Sequence, residues 1–166
     1  MSASTHALRP EEIATFLERD CGLDRKHIYL LELIPLIEMM WADGKNQAAE
    51  IHLIHRYALE HLARLQDAAG QTVLSAAEVN DFLSRLVHHR PNPDLLRQLC
   101  ALAQSSAFSF HNSDPATRAA SRRSVVENCF KIAISNIHGP TASRECLMAE
   151  EEWALLNLME ALGACT

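Results

Sequence analysis

A chain of 166 residues is the size of one ordinary domain, long enough to bury a core without covalent staples. Hydrophobic residues make up 48% and charged residues 22%, which excludes disorder over most of the chain, and a composition rich in Ala and Leu suits helices better than sheets. The formal charge of −6 argues against a phosphate-backbone partner, so no nucleic-acid binding is expected.

Helix signals follow one another along the chain. Pro10, with Glu11 and Glu12 behind it, opens a first predicted helix that Gly22 ends. Asp24 is placed to cap a second, over residues 24–42, whose apolar residues cover nearly every side. A helix without a polar face belongs at the centre of a fold. Pro35 inside it predicts a kink. Gly44 stops it, and Asn46 is placed to cap a third helix reaching about residue 66. After Gly70 and Thr72, Ser75 with Glu78 forms a capping box for a fourth helix, to about residue 88. Pro91 and Pro93 separate it from a fifth, ending near residue 104. Residues 105–113 read as a polar loop, and Asp114 with Pro115 starts a sixth helix reaching about residue 137. Gly139 and Pro140 end that helix, and Thr141 caps a last one, to about residue 162. The expectation is an all-α fold: a single domain over residues 1–166, built as a compact bundle of about seven helices.

Residues 1–9 contain no apolar leader. The most apolar run, 28–42, is broken by Glu32, Pro35 and Glu38 and is shorter than the roughly 20 residues a span requires. No membrane span and a cytoplasmic location are therefore expected. Cys21, Cys100, Cys129, Cys146 and Cys165 are odd in number and form no CxxC pair, which points to reduced thiols. The basic cluster Arg118, Arg122 and Arg123 falls on the sixth predicted helix and reads as a solvated face.

Two stretches align without a gap. Residues 43–50 (Asp-Gly-Lys-Asn-Gln-Ala-Ala-Glu) match 138–145 (His-Gly-Pro-Thr-Ala-Ser-Arg-Glu), pairing Gly44 with Gly139, Asn46 with Thr141 and Glu50 with Glu145. Upstream, Ile34, Ile37 and Met39 meet Cys129, Ile132 and Ile134; downstream, Ile51 and Leu53 meet Cys146 and Met148. The shared unit is a helix stop, a tight turn, a cap and a Glu about one turn into the next helix. It predicts a pseudo-repeat of residues 24–66 and 114–162, with Cys129 and Cys146 as buried, inert thiols. Asp-Gly with a Glu six residues after the glycine also matches the second half of an EF-hand loop, but the first half would put Met39 and Trp41 at ligand positions, which excludes that motif.

The run from residue 38 to 54, Glu-Met-Met-Trp-Ala-Asp-Gly-Lys-Asn-Gln-Ala-Ala-Glu-Ile-His-Leu-Ile, resembles the signature of the tellurite-resistance, TerB-like family, in which Ala-Asp-Gly is followed at fixed distance by a Glu and a helix. A related module occurs in a J-domain co-chaperone. The resemblance covers about residues 23–65 well and 124–163 loosely, with His138 where an Asp is expected. It implies an all-helical, non-enzymatic module with surface acidic residues that bind a metal.

Asp43 carries the most information, because a carboxylate at a helix C-terminus faces the negative end of the helix dipole at a cost of roughly 0.3–1 kcal/mol. A cation shared with helix-end carbonyls and Glu50 would reverse that cost; the plainer reading is a turn former beside Gly44. Glu50 and Glu145 near helix N-termini are favoured by the dipole in any case, and their recurrence is what marks them as candidate ligands. His138 reads as a helix C-cap or a ligand. Glu38, five residues before Asp43, is the remaining candidate for the acidic patch. Glu32, the other charge on the second helix, needs an arginine, a metal or an opening to solvent. His52 and His55 stand three apart on one helix face, a spacing that chelates transition metals but more often marks ordinary surface residues. His88 and His89 are expected to point to different sides, toward solvent. No nucleophile with its base is recognisable. The expected function is divalent-cation binding through Asp43, Glu50, Glu145, His138 and Glu38 in a stress or metal-resistance setting. The alternative is an interaction module whose acidic turn docks a protein partner without metal, and a metal-dependent enzyme using His52 or His55 is the third reading.

Overall fold

Pro35, expected to kink one long helix, instead begins a new one. The computed structural model describes residues 9–103 and 114–135. Among these, six α-helices and no strand are present: α1 (Pro10–Arg19), α2 (Ile34–Trp41), α3 (Ala48–Ala69), α4 (Ala76–Leu83), α5 (Pro93–Leu102) and α6 (Pro115–Ile134). A 3-10 segment (Arg25–Leu33) leads into α2, and a π-helical turn (Ser84–His88) follows α4. Pro35 occupies the first turn of α2, where its missing N–H costs nothing, and the chain changes from 3-10 to α winding there. The predicted seventh helix lies outside the described residues, and with it most of the second half of the pseudo-repeat.

The centre of the bundle is α2. Ile34, Pro35, Leu36, Ile37, Met39, Met40 and Trp41 are all buried, leaving Glu38 as its one half-exposed residue. It packs against α6, α5, α3 and the 3-10 segment, as an all-round apolar helix must. Of the core positions expected from α2 and its aligned counterpart, Leu33, Ile34, Ile37, Met39 and Ile132 are buried; Ile134, at the end of α6, is only half-buried.

Local rules account for the ends of the elements. The Ser75 hydroxyl accepts from the Glu78 amide, and the Glu78 carboxylate accepts from the Ser75 amide at 2.7 Å, the capping box expected for α4. Lys26 bonds the same carboxylate at 2.7 Å and ties the 3-10 segment to α4; gripped by Lys26 and then by Ser75, Glu78 is held down at about 2. Gly70 ends α3 in the left-handed conformation (φ +65), three residues beyond the predicted stop. The cap of α3 also differs from expectation. Gln47, not Asn46, is the N-cap residue, because the Asn46 amide is drawn away to the Val87 carbonyl at 3.0 Å.

No helix among the described residues is long and apolar enough to cross a membrane. Cys100 and Cys129 are buried free thiols and Cys21 is half-buried; Cys146 and Cys165 lie outside the described residues.

Candidate functional site

The turn that joins α2 to α3 is built from Asp43 outward. Gly44 takes φ +80, closed to side-chain-bearing residues without strain, and its N–H bonds the Trp41 carbonyl at 2.9 Å. One Asp43 oxygen, Oδ1, accepts from the Lys45 amide at 2.9 Å, so the carboxylate braces its own turn from the half-exposed side. Among the described residues Asp43 makes no ion pair. The Arg90 guanidinium packs over Gly44, with Nη1 3.3 Å from where a Cβ would stand, yet does not pair with Asp43.

Glu50 closes the turn from inside. It is fully buried, and Oε2 accepts from the Gln47 amide at 2.9 Å as the third residue of the α3 capping box. Sequence spacing brings Asp43 and Glu50 to one turn, but they face different environments: Asp43 toward solvent, Glu50 into the body. Glu38 faces elsewhere. The Glu38 carboxylate acts electrostatically on both Cys100 and Cys129, so it lies on the side of α2 that meets α5 and α6. Burial first, and Glu38 second, push both thiols far above the usual cysteine range. His138 and Glu145 lie outside the described residues.

The turn is clamped to the segment after α4 by two hydrogen bonds. The Trp41 indole donates to the Leu86 carbonyl at 2.8 Å, and Asn46 donates to the next carbonyl, Val87. His88 follows directly. It is exposed, as expected, but its imidazole also meets His55 of α3, with the two Nε2 atoms 3.3 Å apart and the ring centroids 5.5 Å apart. Burial, then the neighbouring His88 and His52, lower the His55 pKa. Spacing within α3 singled out His52 and His55; nothing in it signals a partner 33 residues away, which arrives only because the turn docks on residues 84–90.

A second polar group lies deeper. Glu32 receives the Tyr57 hydroxyl at 2.6 Å, the His61 Nδ1 stands 3.4 Å away, and Arg64 reaches it at 3.9 Å from the rim. The His61 Nε2 lies 2.7 Å from the Tyr29 carbonyl, which can only accept, so that nitrogen is a donor. Arg64 also covers the Tyr57 ring at 5.4 Å. Of the three partners expected for Glu32, an arginine is present, joined by a phenol and an imidazole that sequence spacing did not reveal. The Tyr57 hydroxyl is driven well above its ordinary pKa by burial and then by Glu32. Such a satisfied network is a packing device more than a site: every group already has a partner.

Compared with protein-family models, curated proteins and solved structures, the chain matches none. The TerB-like resemblance therefore rests on residues 38–54 themselves. Among the described residues no three His, Cys, Asp or Glu side chains converge as a ready-made metal centre. The turn offers instead one outward carboxylate, a fixed backbone and a buried second carboxylate behind it.

Proposed function

We propose that this chain is a non-enzymatic, TerB-like helical module that binds a divalent cation at the Asp43 turn, in a stress or tellurite-resistance setting. The observation that carries the reading is an outward-facing carboxylate at the C-terminal end of α2, where the helix dipole opposes it and, among the described residues, no ion pair relieves it. A cation relieves that opposition. Oxygen ligands of this kind suit Ca2+, Mg2+ or Mn2+, with water completing the shell. In this reading Asp43 is the direct ligand. Glu50 shapes the turn from behind, with Oε2 held by the Gln47 amide. Glu145 and His138 remain candidates for the same site through the pseudo-repeat.

Thermal unfolding with millimolar Ca2+, Mg2+ or Mn2+ tests this. A ligand that binds only the folded state adds about 2.7 kcal/mol at 100 times its Kd. Each kcal/mol moves the Tm of a domain this size by roughly 2–4 °C, so a rise of about 5–11 °C is expected. Asp43→Asn should abolish the rise while leaving metal-free stability unchanged or slightly raised, because it removes the charge the dipole opposes. If none of the three cations moves the wild-type Tm, the cation reading fails and docking of a protein partner on the acidic turn takes its place.

A further inference from the structure

We propose that His55 and His88 form a clamp for a borderline transition-metal dication, with Zn2+ as the representative ion, separate from the Asp43 turn and independent of any cation bound there. Two nitrogens bound at about 2.0–2.1 Å to one tetrahedral metal stand about 3.3 Å apart. The two Nε2 atoms are already at 3.3 Å. Without metal, the contact is an N–H···N hydrogen bond, one ring nitrogen donating and the other accepting. Moving that proton from Nε2 to Nδ1 of the donor ring frees both lone pairs, and a swing of each ring by roughly 35° turns them toward a common point.

Three further observations fit the clamp. His55 is half-buried, and burial with its imidazole neighbours keeps it neutral at pH 7, the form that ligates. His88 is exposed, which gives the ion a path in. The backbone that presents His88 is fixed on its N-terminal side by Trp41 and Asn46, which hold the Leu86 and Val87 carbonyls, so half of the clamp is pre-positioned. The winding there is π-helical, a local irregularity frequent at functional positions. Two protein nitrogens leave the remaining positions to water, and imidazole pairs select zinc, nickel and copper over calcium and magnesium.

Calorimetric titration of the full chain with Zn2+ tests the clamp, using His55→Ala, His88→Ala and His88→Gln beside two controls. His89→Ala removes the neighbouring imidazole, which contacts the Ser84 carbonyl instead, and Asp43→Asn removes the acidic turn's ligand. A site present in wild type should weaken at least about tenfold in each of the three clamp variants, since loss of an outer-shell partner alone costs 10–100-fold. It should persist in both controls. Zn2+ binding that survives in His88→Ala and His88→Gln, or no binding by the wild type at millimolar Zn2+, overturns the proposal. Because His88 is exposed, His88→Ala should melt at the wild-type temperature without metal, which separates a lost ligand from a lost fold. Loss of the Ca2+, Mg2+ or Mn2+ response in Asp43→Asn, with Zn2+ binding intact, distinguishes this site from the turn.

Discussion

His27 carries a titratable ring into the core by using both nitrogens. The Asp24 amide donates to Nδ1 at 3.2 Å, and Nε2 stands 3.1 Å from the Glu78 carbonyl, so the buried ring is the neutral Nε2–H tautomer. Burial holds its pKa below the ordinary 6.5, outweighing the Glu78 carbonyl and the acidic neighbours Asp24 and Asp81. Protonation would also destroy the acceptor that the Asp24 amide needs. The sign of the linkage follows: as pH falls through about 6.5, the unfolded chain takes up a proton that the folded chain refuses, so stability is full above that value and declines below it. Urea unfolding between pH 7.5 and 5.5 should show this decline. His27→Gln should be less stable throughout and decline less steeply. His55, also held low, contributes with the same sign, so part of the slope remains in the variant. Equal slopes in the two proteins would contradict the assignment.

In the α2–α3 turn, backbone geometry governs the connection between two elements. Gly44 and Gly70 both adopt positive φ, but a Cβ at Gly70 would meet nothing within 4 Å, whereas one at Gly44 would stand 3.3 Å from the Arg90 guanidinium. Substituting Ala imposes left-handed strain of about 1–2 kcal/mol at either position. Gly70→Ala should therefore lower Tm by roughly 2–8 °C. Gly44→Ala should lower it at least as much, by an excess that vanishes in the Arg90→Ala background. Melting of the wild type, the three single variants and the Gly44→Ala/Arg90→Ala double variant checks both parts, and a Gly44→Ala chain as stable as wild type would mean the turn is not closed in this way. The same element explains a missed cap. Asn46 has the better capping side chain, but a tertiary hydrogen bond to Val87 outbids the local one, and Gln47 with Glu50 caps α3 instead.

At the scale of the whole molecule, the thiols report on packing. Cys100 lies between α5 and α2, and Cys129 is fully buried on α6, both with thiolates disfavoured by burial and by Glu38. Cys21 is half-buried, its pKa pushed up to about 11 by burial and by Asp20. Since the thiolate is the reactive form, an alkylating reagent on the native protein at pH 7.5 should modify Cys21 slowly and leave Cys100 and Cys129 protected. Mass-spectrometric mapping of the sites checks this, and labelling of Cys129 as fast as in urea would place α6 differently. Protection of Cys129 agrees with its alignment to a core position. Its partner Cys146 in the pseudo-repeat lies outside the described residues.

The helical class, the central place of residues 28–42 and most element ends were legible in the sequence. Each of these follows from interactions within about one helical turn: apolar residues on nearly every side of α2, Ser75 with Glu78, Pro93 at the start of α5. The sequence also marked Asp43 and Glu50 as parts of one turn. Only the tertiary structure decided which way they face, because burial depends on what the rest of the chain lays over them. Glu38 was drawn to Cys100 and Cys129, Asn46 was taken from its cap, and Glu32 gained Tyr57, His61 and Arg64. The meeting of His55 and His88 belongs to the same class: a contact between residues 33 apart, with no periodic signal in the chain, made when one turn docks on the end of another helix.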